Sequence, residues 1–199
     1  MFRGGEEQAR PAGIHPVHLG FDFDGVIADI AEAFIRLAAT DYGSSIRYED
    51  ITRFEVEECL DIAPDIIEGV FTRILLDSVG AGLRPMPGAV QVLEEFTVRD
   101  VVTIVTARPD AGPVSKWLAS VLSPGAARRI RIVAMGAHDD KPRYIREHGL
   151  RYFIDDRAET CHQLARAGIE PIVFSQPWNM GRHSFSTVSS WEEIRALCS

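Results

Sequence analysis

The stretch Gly20-Phe21-Asp22-Phe23-Asp24-Gly25-Val26-Ile27-Ala28-Asp29 decides how the rest of the chain is read. An apolar run from Val17 leads into two carboxylates spaced i, i+2, and a glycine follows at once. A strand sends residues i and i+2 to one face, so the spacing predicts Asp22 and Asp24 on the same side where the strand ends. At about 5 Å and an effective dielectric of ~20 their repulsion is roughly 3 kcal/mol, which calls for a proton or a cation. A hard divalent ion meets that need. The same residues also read as an Asp-Gly hairpin turn, or as an aspartate that only caps the next helix. The decision therefore passes to the remainder of the chain.

With 199 residues, 46% hydrophobic and 25% charged, the chain reads as a soluble globular protein. That length accommodates one large α/β domain and an insertion. A net charge of -8 with no Lys/Arg cluster argues against a nucleic-acid polymer or an anionic membrane surface as partner. Cys59, Cys161 and Cys198 are far apart and lack CxxC spacing, so neither a disulfide framework nor a zinc site is expected. A cytoplasmic location fits. Residues 1–14 read as a disordered polar tail, and no stretch has the length of a signal or membrane-spanning segment.

In chain order, a first strand is expected over residues 17–23 and a helix over 28–42, with Gly43 ending it. The pattern then stays helical: Ile51 and Phe54 fall in a short segment, and Pro64 opens another carrying Ile66, Ile67, Val70, Phe71, Ile74 and Leu75. A helical block of about 50 residues after a lone strand is too long for an ordinary βα connection. Residues 29–85 therefore read as an inserted helical cap, and 15–28 with 86–199 as the core domain. Strands follow near 101–105, 130–134, 152–154 and 171–174, alternating with helices, and Val188 adds a short one. Ser190 and Glu193 form a capping box for a terminal helix. The alternation predicts an α/β fold with a doubly wound parallel sheet.

Ligands of open parallel sheets bind outside the carboxyl ends of the strands. There the sequence places Asp22 and Asp24, then Thr106, then Lys141, then Asp155 and Asp156. Oxygen-only ligands of this charge suit Mg²⁺, which takes the rest of its shell from water and substrate phosphate. The Thr106 hydroxyl and the Lys141 ammonium would hold the phosphate oxygens that the metal does not. Lys141 is one of only two lysines in an arginine-rich chain, as expected where a compact point charge is needed. Of the two adjacent aspartates, Asp155 is the expected metal ligand.

The order DxDG, strand plus Thr, Lys, strand plus Asp-Asp resembles the four motifs of the haloacid dehalogenase (HAD) superfamily, over residues 17–176. The resemblance implies a Rossmann-like doubly wound parallel sheet with a small α-helical C1 cap. It implies Asp22 as the nucleophile that becomes an aspartyl phosphate, and Asp24 as acid and base. It further implies Thr106 and Lys141 on the equatorial phosphate oxygens, with Mg²⁺ held by Asp22, the Asp24 carbonyl and Asp155. Asp156 would order a metal-bound water or Lys141, and Gly25 would let backbone amides approach the phosphate. The loop Thr106-Ala107-Arg108-Pro109 contributes to phosphate binding. Arg108 could instead reach a substrate carboxylate or pair with acids of the cap.

The second motif-one aspartate argues against a dehalogenase, which protonates no alkoxide. Residues 22–29, the loop after Thr106 and the segment Ser175-Gln176-Pro177-Trp178-Asn179 look most like bacterial relatives of 5′(3′)-deoxyribonucleotidases. The expected activity is thus Mg²⁺-dependent phosphomonoester hydrolysis on a (deoxy)nucleoside monophosphate. The alternative is a phosphatase or phosphomutase for a sugar phosphate or other small phosphorylated metabolite. A receiver-type binding module needs about half this length and another motif order. Phe34, Phe54 and Phe71 are candidates to stack a base, or to form the core of the cap.

Overall fold

The computed structural model describes residues 11–136 and 140–199. Of the segment expected as a tail, residues 1–10 lie outside this range. At its end Ile14 is buried, and its N–H donates to the Leu197 carbonyl at 2.8 Å.

Among the described residues six parallel strands form one sheet: β1 (Leu19–Phe21), β2 (Val102–Thr106), β3 (Ile130–Ala134), β4 (Tyr152–Asp155), β5 (Glu170–Phe174) and β6 (Thr187–Val188). Their order is β3-β2-β1-β4-β5-β6. The chain winds outward in both directions from β1, which places the topological switch between β1 and β4. The interior strand β2 is buried at every residue, whereas β3 at the edge is only half-buried, with Arg131 in solvent. Such continuous apolar runs belong to parallel strands covered on both faces. On one face Phe21 stacks on Trp191 at 5.3 Å, joining α3 (Ala89–Arg99) and α8 (Trp191–Leu197) to the sheet. On the other, Ile145 of α6 (Lys141–Glu147) and Leu164 of α7 (Ala158–Arg166) pack with Val105 and Phe153.

Strand β1 is shorter than expected. Residues Pro16–His18 form a 3-10 turn, since the proline at its start supplies no N–H to a ladder. Beyond Phe21 the chain leaves the sheet after one last bond, from the Asp22 N–H to the Ile154 carbonyl at 2.8 Å.

Between β1 and β2 lies a helical insert built on α1 (Ile30–Tyr42) and α2 (Pro64–Leu76), with short 3-10 turns between them. The Asp29 carboxylate accepts from the Glu32 N–H and so caps α1, while Gly43 ends that helix in the left-handed conformation at φ 69°. Pro64 stands at the start of α2, where its missing N–H costs nothing. The outgoing and returning chains meet beside the sheet. There the Asp29 N–H donates to the Arg84 carbonyl and the Met86 N–H to the Ile27 carbonyl, each at 2.8 Å. The exposed apolar side chains of the insert, Tyr42, Leu76 and Val79, lie at or beyond the ends of its helices. The loop to β3 is anchored by α4 (Ala111–Val121), whose Trp117 indole N–H donates to the Leu83 carbonyl, and by the short α5 (Pro124–Ala127).

Candidate active site

The carboxyl ends of β1 and β4 are neighbours, and this adjacency assembles the site. Lys141, buried at the start of α6, points its ammonium between Asp22 Oδ1 at 3.0 Å and Asp155 Oδ2 at 2.6 Å. Its underside rests 5.1 Å from the centre of the Phe153 ring. Burial alone would lower the Lys141 pKa, but the carboxylates of Asp155 and Asp22 outweigh it and hold the group charged. For Asp22 the balance goes the other way. Burial, with Asp155 and Asp24 adding repulsion against the opposing pull of Lys141, raises its pKa from the ordinary 3.8 to about 7.

Asp155 and Asp156 diverge although they are consecutive. Asp155 has both oxygens engaged, Oδ2 with Lys141 and Oδ1 with the Arg157 N–H at 2.9 Å. Asp156 accepts from the Trp178 indole N–H at Oδ2, 3.0 Å, while its buried Oδ1 has no hydrogen-bond partner among the described residues. Burial and the nearby Asp155 and Asp22 push the Asp156 carboxyl well above its ordinary value. One oxygen each of Asp22, Asp155 and Asp156 lies within 4.8 Å of the others. Three hard donors, one of them orphaned and two reluctant to ionise unaided, fit a small divalent cation.

Gly25 is required by this packing. It sits at φ +76°, and a Cβ there would stand 2.1 Å from Asp156 Oδ2. Behind it the polar exit of β5 forms a scaffold that the sequence reading left without a role. Gln176 donates to the Gly25 carbonyl at 2.7 Å and accepts from the Tyr48 hydroxyl of the insert at 2.8 Å. Asn179 donates to the carbonyls of Asp156 and Phe174. The available signal was a polar loop with a large aromatic at the carboxyl end of a parallel strand, where ligand sites of this architecture lie.

Thr106 ends β2 and is buried, its Oγ1 accepting from the Arg108 N–H at 3.3 Å. The Arg108 guanidinium, expected on phosphate, is committed to a bidentate pair with Asp24 at 2.8 and 2.7 Å and to Ser78 Oγ at 2.8 Å. Of the uses open to it, an acid partner is the one present, and that acid lies in the core rather than the cap.

Asp22, Asp24, Thr106, Ala107, Arg108 and Asp156 form one wall of a cavity of about 310 Å³. The insert supplies the opposite wall, and all three phenylalanines singled out in the sequence reach it. Phe34 and Phe71 stack on each other at 4.8 Å, while Phe54 lies under the Arg157 guanidinium at 4.6 Å.

A doubly wound sheet carrying these four motifs at its switch point defines a phosphatase of the HAD superfamily. The family described as 5′ nucleotidase, deoxy (pyrimidine), cytosolic type C matches residues 15–198, and the chain belongs to it. A search of curated proteins finds no match. Among solved structures, a haloacid dehalogenase-like hydrolase from Streptococcus pneumoniae is similar at a TM-score of 0.58 and 13% identity, covering 88% of this chain and 95% of its own. A HAD-superfamily hydrolase of subfamily IA from Geobacter sulfurreducens reaches 0.59 at 16% identity, covering 91% and 95%. At these identities the likeness is one of fold. No helix among the described residues is long and apolar enough to cross a membrane.

Proposed function

We propose that this protein is a Mg²⁺-dependent phosphomonoester hydrolase that works through an aspartyl phosphate on Asp22, with a nucleoside monophosphate as substrate. The observation that carries the reading is the Asp22–Lys141–Asp155 array, with the orphaned Asp156 oxygen beside it, opening into a cavity with an aromatic far wall. The family's description supports the nucleotide and goes with a cytosolic location.

In the first half-reaction an Asp22 oxygen forms a bond to phosphorus and the bond from phosphorus to the leaving oxygen breaks. Asp24 delivers its proton to that oxygen. In the second half a water attacks the phosphorus, Asp24 takes the water's proton, and phosphate leaves with the Asp22 carboxylate restored. Thr106 and Lys141 stabilise the phosphoryl oxygens as charge spreads over them. Asp22, the Asp24 carbonyl and Asp155 would hold Mg²⁺, with the unpartnered Oδ1 of Asp156 turned to the same cluster and Asp155 also keeping Lys141 in place. Asp155 keeps its expected place among the ligands, since each of its oxygens accepts one hydrogen bond and retains a second lone pair. Bound Mg²⁺ would neutralise the clustered carboxylates and the substrate phosphate.

Residues 29–85 act as the cap, hinged where Asp29 pairs with Arg84 and Ile27 with Met86. Phe71 would receive the base, with the buried Phe34 stacked behind it as part of the core of the cap.

Two measurements follow. Raised folded-state pKa values contribute stability that is complete below the unfolded value of 3.8 and is lost as pH rises through the folded value, about 7 for Asp22. The metal-free protein is therefore expected to melt lower at pH 8 than at pH 5, and millimolar Mg²⁺ to raise the midpoint more at pH 8. An equal Mg²⁺ effect at both pH values would count against a carboxylate metal site here. For the substrate, nucleoside monophosphates should surpass sugar phosphates and phosphoglycolate in kcat/KM. Phe71→Ala should raise KM for the nucleotides about tenfold through the lost stack. A preference for sugar phosphates, or an unchanged KM, would remove the nucleotide reading and leave the phosphatase chemistry.

A further inference from the structure

Arg108 is the most completely engaged cation of the site, and the reaction as written gives it no task. Its Nε donates to Asp24 Oδ2 at 2.8 Å and its Nη2 to Asp24 Oδ1 at 2.7 Å. The third nitrogen, Nη1, donates to Ser78 Oγ at 2.8 Å and lies 3.5 Å from the Leu75 carbonyl, both at the end of the insert. The face of the guanidinium lies 4.8 Å from the centre of the Phe23 ring, and the side chain is only 3% exposed. A planar fork held at all three nitrogens and on one face has a single orientation. It gives Asp24 a single orientation in turn. Each Asp24 oxygen accepts one bond from the fork and keeps a second lone pair, and the carboxylate is 23% exposed toward the cavity.

We propose that Arg108 is the positioning residue for Asp24: the fork fixes where Asp24 presents its proton-transferring oxygen, and the bond to Ser78 makes that placement depend on the seating of the insert. Ser78 suits this link, since its hydroxyl donates to the Ile74 carbonyl at 2.9 Å and is itself fixed by α2. When the Asp22 oxygen bonds to phosphorus and the leaving oxygen departs with the proton of Asp24, the carboxylate left behind is the species that the fork holds. The inference rests on Asp24 being the proton donor, so its test includes a control for that reading.

The two probes are p-nitrophenyl phosphate, whose leaving oxygen needs no proton, and p-nitrobenzyl phosphate, whose leaving alkoxide does. The readout is kcat/KM with saturating Mg²⁺, which reports the steps through departure of the alcohol. Arg108→Lys keeps the charge and loses the fork. It should lose roughly tenfold to a hundredfold on the benzyl ester and less than about threefold on the phenyl ester. Ser78→Ala, a milder change at a residue outside the cavity lining, should lose about threefold or more on the benzyl ester alone. Equal losses on both esters, together with weaker inhibition by inorganic phosphate, would show Arg108 to be a phosphate ligand and overturn the proposal. Wild-type values for Arg108→Lys would overturn it as well. Asp24→Asn should discriminate the esters most strongly. If it does not, the proton-donor assignment falls first and takes the inference with it; if it does and the Arg108 and Ser78 variants do not, only the inference falls.

Discussion

Asp22→Asn is expected to abolish Mg²⁺-dependent hydrolysis of every phosphomonoester, lowering kcat by about three orders of magnitude or more, and to raise the melting temperature of the metal-free protein at pH 8. The first effect follows from the proposed nucleophile: an amide oxygen forms no stable phosphoryl intermediate, and the remaining groups can only bind and polarise. The second comes from the site's electrostatics. Asp22 is only 14% exposed and faces Asp155 and Asp24, so above pH 7 the folded protein holds a charge there at a cost, even with Lys141 at 3.0 Å. A neutral isostere of the same size removes that cost. A variant that loses activity merely by misfolding would lose stability too, so the opposite signs identify the cause. Activity retained with unchanged turnover would remove Asp22 as nucleophile.

Lys141→Ala should produce the reverse pairing, with activity and stability both lost. The ammonium is buried and bridges Asp22 and Asp155 at 3.0 and 2.6 Å, with Asp156 part of the same carboxylate cluster. Truncation leaves buried carboxylates facing one another without a counter-charge, a change that typically costs about 3–5 kcal/mol. In a chain of this size that corresponds to a fall in melting temperature of roughly 10 °C. Lowering the pH to 5 should recover part of the loss, since the carboxylates can then take up protons. Millimolar Mg²⁺ should recover part of it at pH 8 while turnover stays low, because the metal replaces the charge but not the donor to the phosphoryl oxygen. Wild-type stability for Lys141→Ala would mean that the carboxylates are not buried as a set.

The architecture was legible because apolar runs and helical spacing alternate along the chain, and a parallel sheet is the arrangement that buries such runs on both faces. The insert could be read for a related reason: after a lone strand, Pro64 and the helical spacing from Ile66 to Leu75 have no strand to serve. What stayed hidden depends on contacts distant in sequence. Nothing near Arg108 shows that its fork closes on Asp24, 84 positions away, or that Ser78 completes it. The adjacent pair Asp155 and Asp156 is told apart only by contacts that are distant in sequence. Where β4 ends, consecutive side chains leave in different directions, and the positions of Lys141 and Trp178 decide which carboxylate keeps an oxygen without a hydrogen bond. Gln176 and Asn179 went unassigned because buried amides that secure carbonyls of neighbouring loops look, in sequence, like any polar turn.

The central claim is that Asp22 carries the phosphoryl group. Rapid acid quench of the enzyme during turnover with Mg²⁺, followed by peptide mass spectrometry, tests it most directly. One phosphoryl adduct labile to hydroxylamine is predicted on the peptide that contains Asp22, absent from Asp22→Asn. An adduct on any other residue, or its persistence in Asp22→Asn, would contradict the account.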